Sequence, residues 1–188
     1  MNNKICWIDT ETTGFSAEKN DVIQVAIIID IDREIVATYD FKCRPLNPEN
    51  AHPVALQITG LTLPEIMEYP EPRGIITQIE TALLAHLEAG EQYFFGAHNC
   101  PFDRRMMGGL YTKNGVAEDS FTDLFMVKEF DIDTQKMIKQ YNRTAGSLAL
   151  ADAKLVTAAQ AFCIDHNPHE ASSDINATRE LYYALLDD

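Results

Sequence analysis

The first 42 residues hold three strand-like runs set so close together that only tight turns can join them. Residues 4–9 read as a short buried strand, residues 21–30 as a second and residues 34–42 as a third. The second contains Val25-Ala26-Ile27-Ile28-Ile29, apolar on both faces, as in a buried strand. Asp30-Ile31-Asp32-Arg33 reads as the turn into the third strand. Connections this short predict antiparallel hairpins, because a parallel pair needs a long crossover.

The remainder alternates. Residues 45–72 are proline-rich and read as irregular. Residues 74–89 predict an amphipathic helix, with Ile75, Ile79, Leu83 and Leu87 four apart on one face and Gly90 as its stop. A fourth strand is expected over 92–97, a helix from near Pro101, and a fifth strand within 120–126. Two or three helices complete the chain, the last over about 172–186. Three adjacent strands followed by alternating elements predict an α/β fold with a mixed sheet. With no repeat, low-complexity tract or Gly/Ser linker, residues 1–188 read as one domain.

No apolar run approaches the roughly 18 residues of a membrane span. Met1-Asn2-Asn3-Lys4 runs straight into a strand without the apolar stretch of a signal peptide. Cys6, Cys43, Cys100 and Cys163 are scattered and form no CxxC pair, against both a zinc knuckle and a disulfide framework. A reduced, cytoplasmic protein is expected. The net charge of -14 opposes tight, non-specific binding to duplex nucleic acid. The bases are unevenly placed, however. Lys136, Lys139 and Arg143 lie in an acid-free stretch, and Arg104, Arg105 and Lys113 follow Asp103 closely.

The acidic residues carry the chemistry. Asp9 and Glu11 are two apart at the end of a strand, so both project from the same face and repel unless they share a cation. Asp103 falls in the first turn of a helix that Asn99 is placed to cap, and Asp174 in the first turn of the last helix. His169 stands five residues before Asp174, with His166 and His98 as rivals for the role of base. Four carboxylates and a histidine can bind two divalent metals and deprotonate a water, which suits phosphodiester hydrolysis.

These motifs make the chain recognisable. Asp9-Thr10-Glu11-Thr12-Thr13-Gly14, then Asn99-Cys100-Pro101-Phe102-Asp103, then His169, Ala171 and Asp174 match D-x-E-T-T-G, N-x-x-F-D and H-x-A-x-x-D in order. Ile58-Thr59-Gly60-Leu61 and Asp123-Leu124 add weaker matches. The chain resembles the DEDDh family of 3′–5′ exonucleases, which includes polymerase proofreading subunits, RNase T, oligoribonuclease and the Trex enzymes. A sister subfamily has tyrosine four residues before the last Asp, where this chain has Glu170.

The resemblance implies an RNase H-like fold, a mixed five-stranded sheet with three antiparallel strands and then parallel additions, flanked by helices. It implies two Mg²⁺ or Mn²⁺ ions held by Asp9, Glu11, Asp103 and Asp174, with His169 taking a proton from the attacking water. An unperturbed imidazole ionises near about 6.5, which suits a base at pH 7–8. Thr10, Thr12, Thr13, His98 and Asn99 are expected to meet the terminal nucleotide, and Phe15 a base. Phe102 is expected to pack in the core, and Lys136, Lys139 and Arg143 to guide the strand. The closest pattern match is to the proofreading branch, which favours single-stranded DNA ends, proofreading and repair. An exoribonuclease has the same catalytic residues, so trimming of RNA is the alternative. A second alternative is an accessory subunit with weak nuclease activity, its acidic surface docked on a basic face of a polymerase or repair complex.

Overall fold

The computed structural model describes residues 3–187. Met1, Asn2 and Asp188, which belong to the expected single domain, lie outside the described residues, as do the first two residues of the expected leaderless N-terminus.

The chain begins with β1 (Lys4–Thr12), β2 (Val22–Ile31) and β3 (Glu34–Lys42), joined as antiparallel hairpins. The turn between β2 and β3 places Asp32 and Arg33 at positive φ, as a two-residue hairpin loop requires. The segment read as irregular contains ordered helix. A 3-10 turn (Pro48–Asn50), α1 (Pro53–Thr59) and α2 (Leu63–Met67) follow one another, each carrying proline in its first turn. Proline has no N–H to lose there, so a proline-rich stretch need not be irregular. Gly60, at φ 70°, closes α1 in the left-handed conformation, which explains the glycine of the Ile-Thr-Gly-Leu motif.

Helix α3 (Pro72–Leu84) starts two residues earlier than expected and ends well before Gly90. Ile75, Ile79 and Leu83 are buried, while Leu87 packs against the same core from the segment beyond the helix. Strand β4 (Phe94–Ala97) joins β1 in parallel, and α4 (Cys100–Lys113) follows. The expected fifth strand over 120–126 is instead α5 (Asp119–Thr122) and a single bridge from Tyr93 to Phe125. Phe121 from the short helix and Phe125 from the bridge both plug into the core, and the turn between them leaves no room for a continuous strand. The fifth strand is β5 (Ile132–Asp133), only two residues long, parallel to β4. Helices α6 (Thr134–Thr144), α7 (Leu155–Ala161) and α8 (Ala171–Asp187) complete the chain.

The five strands form one sheet in the order β3-β2-β1-β4-β5. Alternation along β1 sends Cys6 and Ile8 into a core shared with α3 and α4, and Ile5 and Trp7 into a core shared with α8. Gly96 lets Trp7 lie flat on β4, because a Cβ there would stand 2.5 Å from the indole ring. Among the described residues no helix is long and apolar enough to cross a membrane. All four cysteines are free, with Cys6, Cys43 and Cys100 buried.

Candidate active site

The face of β1 that buries Ile5 and Trp7 against α8 continues to Asp9 and Glu11. Helix α8, packed on that face through Ala171 and Ile175, places Asp174 in its first turn. The result is a cluster of three half-buried carboxylates, Asp9, Glu11 and Asp174, with one oxygen of each within 4.8 Å of the others. Asp103 arrives from α4 and lies outside that tight group. It is tied to the same strand, because its Oδ1 accepts from the Thr10 backbone N–H at 3.1 Å and from the Thr10 hydroxyl at 2.8 Å. Thr10 therefore holds an acid, a job its motif position alone did not reveal.

Electrostatics mark the cluster as unfinished. Burial, then the charges of Asp103, Glu11 and Asp174, push the Asp9 carboxyl well above the usual range. Asp9 keeps some surface open to solvent, but protein and other acids surround its carboxyl, and this environment sets the shift. Burial pushes Glu11 up to about 7, helped by Asp174 and Glu170. Burial also raises Asp103 to about 7, against the pull of its hydrogen bonds from Thr10. Acids that raise one another's proton affinity are neutralised by protons or by a cation. All the donors are hard carboxylate oxygens, which fit Mg²⁺ or Mn²⁺, so the residues present suit a divalent metal.

Two histidines approach Asp174 in different ways. The His166 ring is nearly buried, with its Nε2 2.6 Å from Asp174 Oδ1. His169 is exposed and donates its backbone N–H to Asp174 Oδ2 at 3.2 Å. Its φ of 67° turns the loop back towards α8. His98 stands away from both, its Nδ1 2.9 Å from the Thr134 hydroxyl and its Nε2 3.1 Å from the Ala153 carbonyl. Burial lowers its pKa, and with both nitrogens engaged it offers a ligand only its ring face.

The motif threonines stabilise the turn after β1. The Thr12 hydroxyl donates to the Gly14 carbonyl at 2.7 Å, and the Thr13 hydroxyl accepts from the Asp21 N–H at 2.9 Å. A Cβ on Gly14 would stand 2.5 Å from the Asn20 side chain, so only glycine fits. Phe15 is 65 % exposed beside this turn, while Phe102 packs against the core as expected. Asn99 occupies the capping position of α4 at φ 80°, but its side chain makes no capping hydrogen bond.

The basic residues divide. Arg104 is buried, pairs with Asp131 at 2.5 Å and stacks on Phe95, and Lys113 pairs with Asp21 at 2.9 Å. These two are structural and only Arg105 of that group is exposed, so the cluster after Asp103 is not a solvated basic surface. Lys136, Lys139 and Arg143 lie along α6. Lys136 reaches Asp133 at 3.6 Å, and Lys139 donates to Gln135 at 2.5 Å.

Comparison with known proteins agrees with this geometry. The family model for exonucleases of the RNase T type matches residues 6–182. Ribonuclease T of Haemophilus influenzae is 25% identical over 195 residues, covering 95% of this chain and 77% of the relative. A PolC-type DNA polymerase III of Streptococcus pyogenes is 28% identical over 184 residues, covering 96% of this chain but only 11% of the polymerase. Among solved structures, Escherichia coli exonuclease I in complex with a dT13 oligonucleotide superposes with a TM-score of 0.77 at 18% identity, over 98% of this chain and 40% of that one. The chain thus spans about a tenth of the polymerase and two fifths of exonuclease I. The match along nearly the whole chain and the RNase H-like sheet with its acids at the end of β1 place this protein in the DEDDh family of 3′–5′ exonucleases.

Proposed function

We propose that this chain hydrolyses phosphodiester bonds from the 3′ end of DNA, preferentially single-stranded, releasing nucleoside 5′-monophosphates, with two Mg²⁺ or Mn²⁺ ions at Asp9, Glu11, Asp103 and Asp174. The observation that carries this reading is the meeting of half-buried carboxylates from β1 and α8 at one spot. Bound divalent ions would supply charge stabilisation for the attacking and leaving oxygens of the displacement.

The chain's own residues do the rest. Asp9 and Glu11 present a fixed anionic platform at a strand end, and the Thr10 hydroxyl holds Asp103 beside it. The exposed His169 ring accepts the proton of the attacking water. The turn at Thr12-Thr13-Gly14 carries Phe15, whose exposed ring stacks on a base for roughly 1–3 kcal/mol. The Asn99 side chain and the His98 ring face border the terminal nucleotide. Lys136, Lys139 and Arg143 steer the strand by phosphate contacts from one helix of an acidic molecule.

The DNA preference rests on the similarity to exonuclease I and to a segment of a PolC-type polymerase, which also supports a polymerase as partner for the acidic surface. A second reading, RNA trimming, is favoured by the similarity to ribonuclease T, which this chain matches over most of that relative's length. The test is digestion of 5′-labelled DNA and RNA oligonucleotides of one sequence in one tube, with Mg²⁺. Faster shortening of the DNA supports the first reading, and faster shortening of the RNA the second.

A further inference from the structure

The loop between α7 and α8 brings two points of contact to one carboxylate. Asp174 Oδ1 lies 2.6 Å from the Nε2 of His166, and Oδ2 accepts from the backbone N–H of His169 at 3.2 Å. The loop that carries both is tied down by a third bond, from the Asn167 N–H to the Ser173 hydroxyl at 2.7 Å. The His166 side chain is 5% exposed, the most enclosed part of this contact, and its Nδ1 has no hydrogen-bond partner. The contact from Nε2 to Asp174 is the hydrogen bond that fixes the ring. Nε2 acts on a carboxylate whose oxygen lies within 4.8 Å of the ligand atoms of Asp9 and Glu11.

We propose that His166 is a positioning residue that orients Asp174 for cation binding, and that this, rather than proton transfer, is its part in the reaction. The inference rests on the exonuclease reading of the site. Asp9 and Glu11 are aimed by the sheet, but Asp174 sits on a helix end reached through a loop, and its χ angles need an external constraint. The Nε2–H bond supplies one while leaving lone pairs on the carboxylate for a cation. Such partners of metal-binding carboxylates typically contribute 10–100-fold in metal affinity.

The experiment is calorimetric titration of Mn²⁺ into the substrate-free protein, beside thermal unfolding in EDTA. His166→Ala is expected to weaken Mn²⁺ binding about 10-fold or more. His166→Gln, whose amide nitrogen can reach the place of Nε2, is expected to bind close to wild type, whereas His166→Asn, whose shorter amide cannot, is expected to behave like alanine. His169→Ala is expected to bind Mn²⁺ normally, because its contribution to Asp174 is backbone. Raising Mn²⁺ should restore the nuclease turnover of His166→Ala, but not that of His169→Ala. Folded alanine or asparagine variants that bind Mn²⁺ as tightly as wild type would overturn the assignment. If His166→Ala fails to fold, equal affinities for the glutamine and asparagine variants would overturn it. Wild-type protein that neither binds Mn²⁺ in an Asp9-dependent way nor shortens oligonucleotides would instead remove the exonuclease reading beneath it.

Discussion

The end of β1 and the loop before α8 supply the same site by opposite means. Asp9 and Glu11 sit on a strand paired with β2 on one side and, from Ile5 to Trp7, with β4 on the other. Their direction is set by the pleat and cannot change without slipping the sheet register. His166, His169 and Asp174 are placed by a loop, a left-handed residue and a few side-chain hydrogen bonds. A rigid strand end fixes where charge is concentrated, while the loop meets that charge only through hydrogen bonds to the two oxygens of Asp174. Repulsion is the cost of this rigidity, since burial and neighbouring acids raise the proton affinity of Asp9, Glu11 and Asp103.

The comparison breaks most sharply at Asp9. Asp9→Asn should lower kcat by about 10³-fold or more, the equivalent of several kcal/mol of metal-assisted stabilisation. The same change should raise the melting temperature in EDTA by relieving buried like charge. An unchanged or lower melting temperature would show that the repulsion is already relaxed in solution. On the loop side, His169→Ala should lower kcat by about 10²–10⁴-fold. Its unfolding free energy should stay within about 0.5 kcal/mol of wild type, as for exposed positions generally. A wild-type rate would remove His169 as the base.

The pH dependence separates the two regions further. Glu11 has a folded-state pKa of about 7 against an ordinary 4.5. Below about 4.5 it is protonated in both states, and this group costs no stability. Above about 7 it is ionised in both, and the full repulsion is felt. Metal-free stability should therefore fall as pH rises through this window, with Asp9 and Asp103 acting in the same direction. Saturating Mg²⁺ should flatten the fall, and binding at pH 6 should release protons measurable as a buffer-dependent heat. Melting curves against pH, with and without Mg²⁺, check this, and a metal-free curve flat from pH 5 to 8 would oppose it. The smallest effect is expected along α6. Neutralising Lys136, Lys139 and Arg143 together should raise KM several-fold, flatten its salt dependence and leave kcat unchanged.

The strand end was legible in the sequence and the loop much less so, for a physical reason. A period of two places Asp9 and Glu11 on one face whatever the distant structure does, and β3 spans the expected 34–42. The antiparallel hairpins and the start of α8 were readable from short-range pattern in the same way. The fifth strand was not, because two residues at Ile132–Asp133 are too few to show a period. Nor was the work of Thr10, whose hydroxyl meets an acid 93 residues away. His166 stood in the sequence only as a rival base. Its contact with Asp174 depends on how the loop folds back through Asn167 and the left-handed His169, which no local pattern encodes.

The most direct test of the account is a time course on a 5′-labelled single strand with Mg²⁺, with EDTA, and with Asp9→Asn. The account predicts a ladder shortening from the 3′ end with Mg²⁺ alone, abolished by EDTA and by the substitution. Shortening that persists in EDTA or in folded Asp9→Asn would contradict it, as would a folded wild-type protein that leaves both DNA and RNA strands intact with Mg²⁺ and with Mn²⁺.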